Sequence, residues 1–219
     1  MSKTKILSTK ILTKSQKQLL IDADFEVIEK DFIATQIKPF DVKKIHDNLI
    51  FTSQNAVESV LEHSDLEKLK TKKVFCVGIK TKNFLTDNGF EVIAYTDYAA
   101  DLAEIITLIY KSESYTFFSG NKRRDTLPNA LKEAGIVFNE IEVYETTLTP
   151  HKIKETVDAI LFYSPSGIES YLKDNKLKNE TCFCIGDTTA SALENKTKNI
   201  IVADQPTIED VIESVIEEY

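Results

Sequence analysis

The side chains best suited to bind an anion stand in residues 117–128, FFSGNKRRDTLP, which include Arg123 and Arg124, the only arginines among 27 basic residues. An apolar pair and a Ser-Gly-Asn turn precede the arginines, and a helical pattern follows them. In a parallel sheet, such strand-to-helix junctions lie at the ligand-binding edge. Because a guanidinium fork matches a carboxylate or a phosphate, the stretch predicts an anion-binding loop. The alternative is a solvated pair of arginines.

Other apolar runs also end in a small polar residue that precedes a helical pattern. These residues are Ser53, Thr81, Ser164 or Ser166, and Thr188 or Thr189. Helix N-termini offer unpaired N–H groups and about half a positive charge, which attract anions. The pattern therefore predicts anion binding at several helix N-termini, with simple helix capping by the same hydroxyls as the alternative.

Familiar catalytic motifs do not occur in the sequence. No G-x-G-x-x-G follows a predicted strand, and the sequence has no Walker loop, G-x-S-x-G or HExxH. The histidines lack ligand spacing, and Cys76, Cys182 and Cys184 stand in apolar runs typical of buried thiols. We therefore expect neither a metal nor a cofactor.

The charge balance argues against a nucleic-acid partner, because the formal net charge is −8 and no basic stripe occurs. A hydrophobic content of 42% is enough for a sizeable core. The N-terminal residues lack the apolar stretch of a signal peptide, and no run is long enough to span a bilayer. We expect a cytoplasmic monomer with no membrane partner.

Short apolar runs alternate with segments of helical period along the chain. The predicted strands are 5–8, 26–32, 49–52, 73–77, 91–94, 115–118, 137–143, 159–163, 181–185 and 199–202. Helical patterns include residues 99–110, 127–134 and 208–219. This alternation predicts an α/β fold with mostly parallel sheets flanked by helices.

An internal repeat divides these elements into two sets. IFTSQNAVESVL (50–61) matches LFYSPSGIESYL (161–172), and VFCVGIKTKNFL (74–85) matches CFCIGDTTASAL (182–193). The two offsets, 161 − 50 = 111 and 182 − 74 = 108 residues, are nearly equal. Two matches in the same order predict two similar α/β units.

The position of the repeat predicts that the first domain is discontinuous. Few strands follow the second repeat, so the two N-terminal strands would complete its sheet. Domain 1 would comprise 1–36 and 148–219, with domain 2, residues 38–146, inserted. A two-stranded linker near 34–39 and 145–150 would join them, and helix N-termini of both domains would line a cleft.

Six stretches together resemble uroporphyrinogen-III synthase over nearly the whole chain. They are IFTSQNAVESVL, FCVGIKTKNFL, FFSGNKRRDTLPNALKEAGI, VYETTLTP, FYSPSGIESYL and CIGDTTASAL. The N-terminal ILSTKIL is a looser match, since the family often has Thr-Arg-Pro where Thr9, Lys10 and Ile11 stand. The resemblance implies a hydro-lyase of porphyrin and heme biosynthesis, which closes the linear tetrapyrrole hydroxymethylbilane to uroporphyrinogen III with loss of water and inversion of ring D.

The resemblance also implies roles for individual residues, and no cofactor. Tyr144 matches the tyrosine that the family places beside the reacting end, where a phenol can donate a hydrogen bond to the leaving hydroxyl; the alternative is a packing role. The expected substrate-binding residues are Lys10, Ser53, Asn55, Thr81, Asn121, Arg124, Ser164, Ser166, Gly167, Thr188 and Thr189. A two-domain hinged anion- or ligand-binding module without catalysis is the alternative function.

Overall fold

The computed structural model describes residues 3–219, so the first two residues of the predicted segment 1–36 lie outside the described residues. The elements in chain order are β1 (Lys5–Ser8), α1 (Lys14–Asp22), β2 (Glu26–Glu29), β3 (Ile33–Ile37), β4 (Asn48–Phe51), α2 (Gln54–Leu61), α3 (Leu66–Lys70), β5 (Lys73–Val77), α4 (Ile79–Asp87), β6 (Glu91–Thr96), α5 (Ala99–Ile109), β7 (Ser114–Gly120), α6 (Thr126–Glu133), β8 (Val137–Leu148), β9 (Ala159–Phe162), α7 (Pro165–Asp174), β10 (Thr181–Cys184), α8 (Asp187–Ser191), β11 (Ile200–Val202) and α9 (Ile208–Glu218). The chain divides into two compact units. Unit 1 contains the residues up to Ala34 together with Thr147–Tyr219, and unit 2 is Thr35–Thr146.

Unit 1 contains a five-stranded sheet with the order β11-β10-β9-β1-β2. All four neighbouring pairs are parallel. Successive residues of a strand point to opposite faces, and both faces are covered. Ile6 and Leu161 pack with α1 and α9 on one face, while Leu7 and Ile160 pack with α7 and α8 on the other.

The second sheet has six strands, in the order β3-β8-β7-β4-β5-β6. The pairs from β8 to β6 are parallel. Within unit 2, Leu49 and Phe51 pack with α2, α3 and α4 on one face, whereas Ile50 and Phe117 pack with α5 and α6 on the other. Burial on both faces explains why these strands read as continuous apolar runs.

The predicted α/β fold with mostly parallel sheets is confirmed, and all ten predicted strands lie where expected, with ends shifted by up to five residues. The helical patterns correspond to α5, α6 and α9. The strand predicted at 26–32 is shorter than expected, because β2 ends at Glu29. Beyond it, the Asp31 carboxylate accepts a hydrogen bond from the Ile11 N–H at 2.9 Å.

Strand β3 is not among the ten strands predicted from apolar runs, although it overlaps the segment 34–39 that was expected as one side of the linker. Its sequence, IATQI, is short and largely exposed, so it carries little of the apolar pattern that marks a strand. Among residues 3–219, no helix combines the length and apolarity that crossing a membrane requires.

Candidate functional site

In unit 2 the chain reverses direction within its sheet between β4 and β7. From β4 the chain adds β5 and β6 on one side, while β7 and β8 lie on the other. Helix α2, which follows β4, and helix α6, which follows β7, cover opposite faces. In open α/β sheets, ligands bind in the crevice that this reversal leaves at the carboxyl ends of the strands. Ser53, Asn55, Gly120 and Asn121 stand at this edge, which we call the unit 2 edge.

Ser53 caps helix α2 at the unit 2 edge. Its backbone is extended, and its side-chain oxygen accepts a hydrogen bond from the Asn55 N–H at 3.2 Å. The predicted cap is therefore confirmed, and the N–H of Asn55 already has a hydrogen-bond acceptor within the chain. The first turn of α2 contains no acidic residue, so the positive end of its dipole is not offset there.

Thr81 lies beside the next strand, in the first turn of α4. It is buried, and its hydroxyl oxygen lies 3.7 Å from the position that a Cβ on Gly78 would take. Gly78 begins the helix with a φ of 88°, a left-handed conformation that favours glycine. The Thr81 hydroxyl makes no hydrogen bond within the described chain, so it is an available polar group at the unit 2 edge.

Tyr144 lies on β8, directly beside the end of β7. Its register partner is Gly120, and its ring lies against the Gly120 backbone. The residue is half-buried, and its hydroxyl has no hydrogen-bond partner among residues 3–219. The phenol proton is therefore available to a ligand at the unit 2 edge.

The two arginines have different surroundings. The Arg123 guanidinium donates to both carboxylate oxygens of Glu140, at 2.5 and 3.2 Å, and also to Asp125. Burial lowers the pKa of Arg123, but the hydrogen bonds and charges of the two carboxylates outweigh this effect and raise it. Arg124 is exposed and forms no ion pair in the described part of the chain, and partial burial of its side chain lowers its pKa. Arg124 is thus the arginine available to an anionic ligand, and Arg123 holds the loop.

Unit 1 has an equivalent edge, where the chain reverses direction between β1 and β9. Ser164 caps α7, and its Oγ accepts a hydrogen bond from the Gly167 N–H at 3.0 Å. The Thr9 hydroxyl joins the two strands by donating to the Leu161 carbonyl at 2.7 Å. Lys10 follows with an exposed side chain. These residues define the unit 1 edge.

Two expected binding residues of unit 1 lie in helix α8, which has only five residues. Thr189 is buried and Thr188 is half-buried. Asp187 stands in the first turn of the same helix, so its carboxylate already faces the positive end of the helix dipole. Ser166 and Gly167 lie in the first turn of α7, Ser166 half-buried and Gly167 buried.

Tyr163, at the carboxyl end of β9, is a further polar residue of the unit 1 edge that was not predicted. Its hydroxyl lies 3.2 Å from Ser8 Oγ, and Ser8 Oγ donates to the Lys10 carbonyl at 2.5 Å. Since the Ser8 proton is used in that bond, Ser8 Oγ accepts a hydrogen bond from the Tyr163 hydroxyl, and the two hydroxyls together fix the backbone of Lys10. Burial raises the pKa of Tyr163, which keeps the phenol neutral and able to donate. The only indication in the sequence was that a tyrosine directly precedes the N-cap Ser164.

The cysteines do not take part in either edge. Cys76, Cys182 and Cys184 are free and buried, as predicted, and burial raises the pKa of each thiol to about 12. A protonated buried thiol is a poor nucleophile and a poor metal ligand. Within residues 3–219, no three histidine, cysteine, aspartate or glutamate residues are grouped so as to hold a metal ion.

The Ser164 cap gives a prediction about stability. Ser164→Ala removes the acceptor for the Gly167 N–H, so the free energy of unfolding should fall by about 1 kcal/mol. Thermal denaturation should show a melting temperature about 2–4 °C lower. Ser166→Ala, two residues further along the chain and without a hydrogen-bonded side chain in the described structure, should melt near wild type. Equal melting temperatures of the two variants would show that the Ser164 hydroxyl does not stabilise the helix.

The fold and its two edges define an α/β protein with parallel sheets whose carboxyl edges present helix N-termini, hydroxyls, a phenol and, among residues 3–219, a guanidinium without an ion pair. The family model described as "Uroporphyrinogen-III synthase HemD" matches residues 17–213 of the chain. The chain belongs to this family.

Two curated relatives agree with this assignment. The chain is 24% identical over 191 residues to the "Porphyrin biosynthesis protein HemD" of Ruminiclostridium josui, covering 77% of this chain but only 37% of that protein. It is 26% identical over 170 residues to the "Uroporphyrinogen-III synthase" of Chlorobaculum parvum, covering 67% of this chain and 68% of the relative. The chain thus spans little more than a third of the first relative and about two thirds of the second.

Solved structures share the fold. The uroporphyrinogen-III synthetase of Helicobacter pylori superposes with a TM-score of 0.75 at 22% identity, covering 99% of this chain and 100% of the other. A mutant uroporphyrinogen III synthase of Thermus thermophilus gives a TM-score of 0.69 at 17% identity, covering 98% of both chains. At these identities the likeness concerns the fold.

Proposed function

We propose that the chain is a uroporphyrinogen-III synthase, a hydro-lyase that closes hydroxymethylbilane to uroporphyrinogen III in porphyrin and heme biosynthesis. The observation that carries the proposal is the family match over residues 17–213. The fold supports it, since both edges offer groups for a polyanionic ligand.

The reaction needs a proton at the leaving hydroxyl. The C–O bond of the hydroxymethyl group breaks, and its electron pair leaves with the oxygen. We assign proton donation to Tyr144, whose hydroxyl has no other partner among the described residues, so that the oxygen departs as water. Ring D is inverted as the macrocycle closes. Closure releases one proton from the pyrrole system, and this proton replaces the one that the phenol gave.

The acetate and propionate groups of the substrate require locally favourable contacts in a protein whose net charge is −8. Unpaired N–H groups at helix N-termini, hydroxyls and exposed cations meet this requirement. The proposed substrate-binding residues are Lys10, Ser53, Asn55, Thr81, Arg124, Ser164, Ser166, Gly167, Thr188 and Thr189. Lys10 and Arg124 are the cations of this set whose side chains have no partner among residues 3–219.

We further propose that the two units are domains. Domain 1 would comprise residues 1–36 and 148–219, domain 2 would be residues 38–146, and β3 and β8 would form the two-stranded linker. In its support, each unit contains its own sheet core, and the unit boundaries fall within β3 and β8. Strand β3 lies beside β8 in the sheet. Following the family resemblance, the protein would be a cytoplasmic monomer that needs neither metal nor cofactor.

An isomer assay tests the function. Hydroxymethylbilane closes by itself to uroporphyrinogen I, so we expect the purified protein to give mainly the type III isomer, separable by chromatography after oxidation. The control is the same protein after heat denaturation, which should give type I alone. A native protein that binds the substrate and still gives type I would be a ligand-binding module, and the proposal would be wrong.

A further inference from the structure

The place of Tyr144 depends on an irregularity between β7 and β8. Ser119 pairs with Glu142, but the next residue, Gly120, pairs with Tyr144, so Val143 is passed over in the register. Side chains of neighbouring strand residues normally point to opposite faces. Here both Val143 and Tyr144 contact the same core cluster. A bulge re-aims the following side chain, and in this strand it turns Tyr144 to the face that carries Val143.

Gly120 is the surface on which the Tyr144 ring rests. A Cβ added to Gly120 would lie 2.3 Å from Cζ, 2.4 Å from Cε2 and 2.9 Å from Cδ2 of the ring. These separations are far below van der Waals contact, and all three involve one rigid ring. Glycine is therefore required at this position by the close approach of Tyr144, since its own φ is not in the left-handed region.

Asn121 holds the strand on the far side of the tyrosine. Its N–H donates to the Tyr144 carbonyl at 3.4 Å. Its side-chain amide donates to the Thr146 carbonyl at 3.2 Å and accepts from the Thr146 N–H at 2.8 Å. The Asn121 side chain thus replaces a backbone partner beyond the end of β7 by pairing with both main-chain polar groups of Thr146, while the Asn121 backbone N–H holds the Tyr144 carbonyl.

We propose that Gly120 and Asn121 are positioning residues, which set the place of the Tyr144 phenol, and that Asn121 acts through Tyr144 rather than as a substrate ligand. This inference rests on the proposed function for its catalytic consequence. The placement of the Tyr144 ring by Gly120 and Asn121 does not depend on that function. Gly120 admits the ring, Asn121 holds the strand, and only the hydroxyl end of the phenol remains free.

The contact itself is tested without any activity, by thermal denaturation of a double-mutant cycle. Gly120→Ala should lower the melting temperature by roughly 3–10 °C, because the ring must move. In a Tyr144→Ala chain, the added methyl group has no ring to meet, so Gly120→Ala should cost little there. Gly186→Ala is the matched control for stability, since nothing lies within 4 Å of its Cβ position. An equal cost of Gly120→Ala in both backgrounds would overturn the contact.

The catalytic consequence is tested by steady-state kinetics on the full chain. Asn121→Ala should lower kcat by roughly ten- to a hundredfold with KM little changed, because a misplaced proton donor weakens the transition state. The same change in a Tyr144→Phe chain should lower kcat no further. Asn129→Ala, an exposed asparagine of the following helix, should behave as wild type.

Together, the isomer assay, the melting temperatures and the kinetics distinguish failure of the proposed function from failure of the positioning role. If wild type forms no type III isomer, the proposed function is wrong, and the melting-temperature cycle still decides the contact. If wild type is active, a raised KM with unchanged kcat would make Asn121 a substrate ligand. Equal losses from Asn121→Ala in the wild-type chain and in the Tyr144→Phe chain would likewise overturn the positioning role.

Discussion

Tyr144→Phe should lower kcat and kcat/KM together by roughly ten- to a thousandfold, the scale expected when one proton donor is lost. The substitution removes one hydroxyl and keeps the ring that rests on Gly120, so the packing of β8 should hardly change. Because the phenol acts mainly on the departing oxygen, the loss falls on the transition state rather than on substrate binding. Initial rates over a range of hydroxymethylbilane concentrations measure both constants.

The isomer ratio gives a second readout of the same variant. A slow enzyme lets spontaneous closure compete, so the type I fraction should rise, while the product that the enzyme releases should still be type III. Tyr110→Phe is a suitable control, because Tyr110 is a half-buried tyrosine of unit 2 that packs edge-on against Phe75, away from the unit 2 edge. Wild-type rate and isomer ratio in Tyr144→Phe would leave Tyr144 as a packing residue only.

The repeat in the sequence corresponds to equivalent places in the structure. Ser53 and Ser164 each cap the helix that follows a central strand. Gly78 and Gly186 each precede a helix whose third residue is a buried threonine, Thr81 in one unit and Thr189 in the other. These equivalences are readable from sequence because a cap and a strand are short-range features, determined by a few neighbouring residues.

What the sequence could not predict depends on pairing between distant residues. Arg123 and Arg124 are neighbours of the same type, and only the position of Glu140 on β8, beside β7, shows that Arg123 is paired. The passed-over Val143 has no signature in the pattern, since a bulge adds one residue without changing composition. Strand β3 is not marked by an apolar run for a related reason, because it is defined by its neighbour β8 and not by apolar residues of its own.

Arg124→Ala should raise KM by about three- to thirtyfold and leave kcat within about threefold. A hydrogen bond to a charged group contributes about 1.5–3 kcal/mol, and solvent competition at an exposed side chain reduces that figure. A carboxylate contact that persists from the bound substrate to the transition state is uniform binding, which appears in KM. The KM of wild type should also rise with salt, and that of the variant should rise less.

Substitutions of two other cations distinguish a specific contact by Arg124 from a general effect of lost positive charge. Lys132→Ala removes an exposed charge from α6 and should leave KM near wild type. Arg123→Ala frees Glu140 and Asp125 from their shared partner, so it should lower the melting temperature more than it raises KM. If all three variants raise KM equally, the effect is one of net charge. If Arg124→Ala folds normally and keeps the wild-type KM, Arg124 is a solvated side chain, and the substrate carboxylates must be held by hydroxyls, backbone N–H groups and lysines alone.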